Sequence, residues 1–591
     1  MPTFSHQLND RLRSAVEKAA TGKGLQLPPE VSIFVSSAKD PRFGDYQSNA
    51  AMMLGTRLKM NPREFAGEVI RSFEGGGLVE PPEIAGPGFI NFRISTDALA
   101  ARFSEVAASE RLGVEPAEKP DTIVIDFSAP NVAKPMHVGH IRGTIIGDCL
   151  GRVARYLGHH VITDNHIGDW GTQFGMIIHG WKSFLDEAAL AADPLAELLR
   201  IYRKVNSSQK EDESLREICK AELVKLQGGN EENLEIWRQC VGLSIDGLNL
   251  IYERLDIRFD HWLGESYYND ALAPLVEELL REGIAQESDG AIGIFSDGSL
   301  EPKEDPFLVQ KDGQWTALPC LIRKSDGGFL YATTDLATID YRIREFTADR
   351  IWYVVGAPQQ SHFDQVFAVA RRRGVDADLR FVSFGSILGK DRKMLRTRDG
   401  ETVQLGGVLE EAVDRALAVV EEKNPELPAD EKKRIAEMIG IGAVKYSELS
   451  QHRMTDYIFD WDKMLSLQGN TAPYLQNAAV RIQAIFRKSG EDADPSVATT
   501  LRIGSDGERR LALVLCSFAE ILPEVLHDFR PNLLANYLFD LAKAFHGFYE
   551  SCPVLSSEGE VKASRLALCA MTLRVFEQGL GLMGIKVPAR M

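Results

Sequence analysis

Two histidines bracket one glycine in the stretch SAPNVAKPMHVGHIRGT, residues 128–144. His137, Gly139 and His140 stand where a proline-containing loop gives way to a helix-like run, with Lys134 three residues upstream. These residue types suit a phosphate or a ribose. Gly139 offers bare backbone at a helix start, where N-terminal amides favour anions. His137 and His140 can donate to phosphate or ribose oxygens, and neutral or charged imidazoles both serve near pH 7. Lys134 adds a mobile point charge. Out of context the pattern is only a loop with two satisfied histidines, so the flanking elements decide.

The flanks favour a nucleotide. DTIVIDFS (121–128) is the continuous apolar run expected of a parallel strand buried on both faces. A helix is expected over about 139–157, and HHVITDNHIGD continues as a second strand and loop, which completes a βαβ unit. In open α/β sheets that junction is where nucleotides bind. Competing phosphate motifs fail. GSILGKD (385–391) has one residue too few between its glycines and places Asp391 where a P-loop needs Ser or Thr, and no G-x-G-x-x-G follows 121–128.

Further out, the chain divides into four regions. Residues 1–110 read as a small α+β module that starts with an amphipathic helix (Phe4, Leu8, Leu12, Val16) and ends in a short strand after a Gly-Pro-Gly turn. Asp10 and Glu17 interrupt what a transit peptide would keep free of acids, so this segment is expected to be structural. Residues 104–120 read as a linker. A Rossmann-like parallel-sheet domain is expected over 118–400, split at about 180–300 by a charged helical insertion, with strand signals resuming at LIRKSDGGFLYATTD, RIWYVVGAP and LRFVSFGSIL. A helical connector (401–464) and an all-α bundle (465–591) follow.

Composition narrows the class. The length calls for several domains. Seven scattered cysteines without metal-ligand spacing read as buried reduced thiols, and no structural metal is expected. No apolar run approaches the ~18 residues of a membrane span. A net charge of −18 argues against a nucleic-acid partner, but residues 471–591 hold equal numbers of basic and acidic side chains, so the acid excess lies upstream.

The stretch DFSAPNVAKPMHVGHIRGTIIGD resembles the first signature of class I aminoacyl-tRNA synthetases, and within that class the arginyl-tRNA synthetase family. NHIGDWGTQFG (165–175), WLGES (262–266), LYATTDLATIDYR (330–342), QGNTAPYLQNAAVR (468–481) and the terminal VPARM are similar to the same family, in the family's order. The resemblance implies activation of L-arginine by ATP with Mg²⁺, then esterification to the terminal adenosine of tRNA(Arg), by a cytoplasmic monomer. It assigns Lys134, His137 and His140 to charge stabilisation at the leaving pyrophosphate, with Gly139 at the nucleotide. It makes Asp335 the guanidinium-reading acid, which could accept a forked cation bidentately, with Tyr331 one helical turn before it as wall. Asp126 and Asn131 would hold the α-amino and carboxylate ends together with His137, and Gln359 would add a contact, with Gln360 as the alternative register.

One departure stands out. The second class I signature, Lys-Met-Ser-Lys-Ser, appears here as KMLRTR (393–398), so Lys393 and Arg396 are assigned to ATP and Lys134 is expected to supply the missing charge. Exposed aromatics of the bundle, Tyr474 and Tyr549 with Tyr537 and Phe548, are expected to stack unpaired anticodon bases. No editing domain is expected, because buried acceptors matched to a guanidinium reject other side chains. Three competing readings remain at this point: a small-substrate adenylyltransferase, for which the chain is too long; a tRNA-binding paralogue without catalysis, which predicts damage to 128–144 or Asp335; and a synthetase for another amino acid, at odds with an acid at 335.

Overall fold

Alternate residues of the strand Thr122–Phe127 enter two different cores, which is why this stretch is apolar without interruption. Ile123, Ile125 and Phe127 join the core under helix Val138–Tyr156, while Val124 joins that of helices Tyr331–Phe346 and Gln360–Arg372. The computed structural model describes residues 2–27, 33–38, 40–393, 403–493 and 501–591. Thr122–Phe127 is central in a parallel four-stranded sheet ordered Asp378–Phe381, Arg350–Val354, Thr122–Phe127, His160–Asp164. Helix Val138–Tyr156 lies so close to its strand that a Cβ on Gly147 would come within 2.3 Å of the Phe127 ring. The chain runs outward to His160–Asp164, then crosses back to Arg350–Val354 on the other side. The carboxyl ends of Thr122–Phe127 and Arg350–Val354 therefore flank the topological switch point, where doubly wound sheets bind ligands.

Between His160–Asp164 and Arg350–Val354 lie seven described α-helices, Gln173–Phe184, Glu187–Ala192, Pro194–Glu211, Ser214–Gln227, Glu231–Arg254, Asn269–Arg281 and Tyr331–Phe346. The structure corrects two expectations here. The insertion is not helical to residue 300: Gln286–Ser288 and Ala291–Ile294 are strands. Nor does LIRKSDGG return the chain to the parallel sheet. Cys320–Arg323 pairs antiparallel with Ala291–Ile294 in a separate three-stranded sheet, and its buried-exposed alternation is that of a half-buried strand.

The N-terminal module sets helix Phe4–Gly22, with Phe4, Leu8, Leu12 and Val16 buried, beside a four-stranded antiparallel sheet. The expected linker begins later than 104. Helix Thr96–Ala108 runs into it, because Leu99, Phe103, Val106 and Ala107 form a buried stripe. The module sits on the C-terminal helices through Arg509–Asp45 (2.5 Å) and through Arg574, which donates to the carbonyls of Ala107 and Ser109 (2.9 Å each).

Helices Leu405–Lys423 and Ala429–Leu449 form an antiparallel pair, followed by the bundle Ala472–Ser489, Asp506–Cys516, Phe518–His527, Asn532–Ser551 and Gly559–Leu582. A buried ion pair ties this region to the signature helix. Arg142 lies 3.1 Å from Glu448, and burial pushes the Glu448 carboxyl up to about 7 against the pull of Arg142. All seven cysteines are buried free thiols. Among the described residues no helix is long and apolar enough to cross a membrane, and no cluster of His, Cys, Asp and Glu is placed to hold a metal ion.

Candidate active site

The loop from 128 to 137 is forced out of ordinary backbone geometry. Ser128, Ala129 and Ala133 have φ of +76°, +45° and +61°, each costing about 1 kcal/mol or more for a residue with a Cβ. Surrounding side chains hold it there. Ser128 Oγ lies 2.6 Å from the Tyr252 hydroxyl and accepts from Thr144, and Ala129 N–H donates to Asn165 Oδ1. Asn131 is exposed in a bridge with Gly168.

Helix Val138–Tyr156 then starts with a reciprocal histidine cap. Gly139 N–H donates to His137 Nδ1 (3.1 Å), His137 N–H donates to His140 Nδ1 (3.2 Å), and the ring centroids lie 3.9 Å apart. Each Nδ1 accepts, so each ring carries its proton on Nε2 and presents a donor there. Burial lowers the His137 pKa, and burial with His137 as neighbour lowers that of His140 to about 4. Of the two protonation states that would serve, burial therefore favours neutral imidazole donors in the free site. Gly139 is required by the cap itself, because a Cβ would sit 2.8 Å from the His137 ring.

Of the second signature only Lys393 lies among the described residues. Strand Ile387–Leu388 pairs with Tyr457–Ile458, and exposed Lys393 follows a tight turn in which Gly389 N–H donates to Lys393 O. Arg396 lies outside the described residues. On the far side of that stretch, Val403 O accepts from Val138 N–H and Leu405 N–H donates to Met136 O, so the chain re-enters against the signature loop. Lys134 places its ammonium 4.5 Å from the Tyr202 ring centroid.

Carboxylates gather beyond the ends of His160–Asp164 and Arg350–Val354. Asp335 Oδ2 lies 2.5 Å from His362 Nε2, and the side chain is largely buried. Tyr331, four residues earlier on the same helix, is 67% exposed, so it borders an open cleft rather than closing a pocket. Glu265, in the turn of the WLGES segment, is pushed up to about 7, by burial first and then by Asp169 and Asp335, against the pull of His166. The Tyr331 hydroxyl pKa is in turn raised, by burial and then by Glu265. Glu265 is thus within electrostatic reach of both Asp335 and Tyr331. Gln359 is exposed in the turn after Arg350–Val354, while Gln360 leans toward Asp364 of its own helix.

Asp126 is buried and its Oδ2 accepts from Arg342 (2.7 Å), which also donates to Asp164 (2.8 Å). In the bundle, Tyr537 and Phe548 are core residues, which rules them out as stacking platforms; helical spacing alone cannot tell inward from outward aromatics. Tyr474 is half-buried with its hydroxyl 2.7 Å from His546 Nδ1, and Tyr549 is exposed and stacked on Phe545. Glu265 and His362 were not singled out from sequence. Both lie inside segments that were, WLGES and APQQSH, and a carboxylate between Gly and Ser in the first was the available signal.

Known proteins share this architecture throughout. Family models match residues 6–94 (arginyl tRNA synthetase N terminal domain), 103–461 (tRNA synthetases class I (R), catalytic domain) and 475–591 (DALR anticodon binding domain). The arginine–tRNA ligase of Chromobacterium violaceum is 43% identical over 98% of this chain and 99% of its own, and that of Thermobifida fusca 44% over 96% and 97%. The arginyl-tRNA synthetase of Plasmodium falciparum superposes with a TM-score of 0.83 at 26% identity, covering both chains fully. A neutral histidine cap following the central strand of a parallel sheet and full-length likeness to these enzymes converge: the chain belongs to the class I arginyl-tRNA synthetase family and is an ATP-dependent ligase that joins arginine to tRNA.

Proposed function

We propose that the reaction divides between the two groups of residues just described. ATP lies along the start of helix Val138–Tyr156, its phosphates taking hydrogen bonds from His137 and His140 Nε2–H and from the amides near Gly139. Lys134 and, across the loop, Lys393 and Arg396 balance the charge that develops on the leaving pyrophosphate. Mg²⁺ would enter with the nucleotide as part of that substrate and would offset part of its phosphate charge. Arginine lies with its guanidinium between Asp335 and Glu265, Tyr331 at the rim beside it, and with its α-amino and carboxylate groups toward Asn131 and Gln359. Asp126 keeps its place beneath this end by holding Arg342.

The chemistry asked of the protein is positioning and charge stabilisation. The arginine carboxylate attacks the α-phosphorus in line, the bond to the β-phosphate bridging oxygen breaks, and pyrophosphate leaves with that electron pair. A hydroxyl of the terminal tRNA adenosine then attacks the arginyl carbonyl and AMP leaves. The N-terminal module (1–110) and the bundle (465–591), the latter through Tyr474 and Tyr549, contact tRNA(Arg), while 118–400 carries the chemistry and 401–464 connects. The chain acts as a monomer in the cytoplasm, off the membrane.

The observation that carries this reading is the pair Asp335–Glu265: two carboxylates, one with its ionisation held back by burial, form a site that a buried cation completes. Arginine-dependent exchange of pyrophosphate into ATP, measured with and without tRNA(Arg) and with lysine as control, tests it. Exchange is expected with arginine and tRNA and not with lysine. Equal exchange with lysine would overturn the guanidinium assignment.

A further inference from the structure

The loop that carries Lys134 is packed into the core of the helical insertion rather than that of the sheet. Val132 and Ala133 are fully buried among Phe174, Ile177, Leu198 and Ile201. Ala133, held at φ +61°, donates its N–H to Ser244 Oγ (3.0 Å), and the Ser244 hydroxyl donates to Cys240 O (2.6 Å), so its lone pair is aimed at Ala133. Tyr202 follows Ile201 on helix Pro194–Glu211 and lies under the Lys134 ammonium. Among the described residues no carboxylate is within ion-pair distance of Lys134.

These facts have one physical reading. A carboxylate would also fix the ammonium, but it would cancel the charge that a phosphate needs. An aromatic face attracts an ammonium through its quadrupole and leaves the charge whole. We infer that Tyr202, with Ser244 anchoring the backbone, positions Lys134 toward the nucleotide's phosphates, so that the insertion is part of the activation apparatus. This rests on the reading of Lys134 as a charge that serves the pyrophosphate. Tyr202 acts only through Lys134; it is a positioning residue.

A double-mutant cycle on the full chain, read by arginine-dependent exchange in the presence of tRNA, tests it. Tyr202→Leu is expected to lower kcat about fivefold to tenfold with the arginine KM unchanged. Tyr202→Phe, which keeps the ring, restores wild-type kcat. In a Lys134→Ala background Tyr202→Leu costs nothing more. Equal losses in both backgrounds, or an unaltered kcat in Tyr202→Leu, would overturn the positioning role while leaving Lys134 in place. An unimpaired Lys134→Ala would overturn the role of Lys134 and this inference with it. Should Tyr202→Leu fail to fold, Ser244→Ala removes the acceptor for Ala133 N–H together with the donor to Cys240 O and carries the same cycle, with the same expected loss confined to the Lys134 background.

Discussion

The two ends of the cleft meet their charges differently. At the nucleotide end the groups are neutral or unpaired: two imidazoles kept uncharged by burial, and a lysine resting on an aromatic ring. At the amino-acid end carboxylates are crowded, and internal partners sort them. Arg342 takes Asp126 and Asp164, and Ser266 covers both oxygens of Asp169 through its N–H and hydroxyl. Asp335, against His362, and Glu265, with its ionisation held back, are the acids left with capacity for a cation. The nucleotide end is preorganised to receive negative charge. The amino-acid end is incomplete until positive charge arrives. Substitutions should therefore separate cleanly between the two substrates.

Asp335→Asn should give the largest effect. A guanidinium bound opposite a neutral amide loses a charge-assisted contact in a partly dry site, and kcat/KM for arginine should fall about 10³-fold. The ATP KM should stay within about twofold, since no hydrogen bond joins Asp335 to the histidine cap. Steady-state exchange with each substrate varied in turn would decide. A comparable rise in both KM values would break the division between the two ends.

Gly139→Ala should act on the other end. The new Cβ displaces the His137 ring and dissolves the cap, which costs about 1 kcal/mol. Alanine regains about the same amount over glycine inside a helix. Thermal stability should therefore stay nearly level while the ATP KM rises about 30-fold, as one or two phosphate donors are lost. Paired thermal melts and exchange kinetics would show it, and a large drop in Tm with an unchanged ATP KM would mean the cap is structural only.

This contrast also explains what was legible in the sequence. The nucleotide end is local: Lys134, His137, Gly139 and His140 fall within seven residues, and the apolar run 121–128 announces a doubly buried strand. The amino-acid end is assembled from distant turns and helices. Asp335 could be found through its YATTD context, but Glu265 lies 70 residues before it and His362 27 residues after it. Their meeting depends on how the insertion folds back, which periodicity does not encode. The partner of Asp126 is hidden for a related reason: Arg342, which donates to it, lies 216 residues on. The strand Cys320–Arg323 was found as a strand but placed in the wrong sheet, because strand signals carry no information about pairing partners.

pH should separate the two ends by the smallest margin and without any substitution. The Glu265 carboxyl has its pKa raised from 4.5 to about 7, so folding favours its protonated form. That contribution to stability is complete below pH 4.5 and is lost as pH rises through 7. A guanidinium favours the ionised form, so arginine binding displaces the proton and works against acid. The arginine KM should fall about tenfold between pH 6 and pH 8 and level off above that. The ATP KM should show no step from His140 over the same range, because its pKa is lowered to about 4, and burial shifts any His137 step toward acid. Glu265→Gln should flatten the arginine profile while leaving the ATP profile as it was. If the arginine profile kept its slope in that variant, the titrating group would be elsewhere, and Asp335 alone would be the acid that the guanidinium completes.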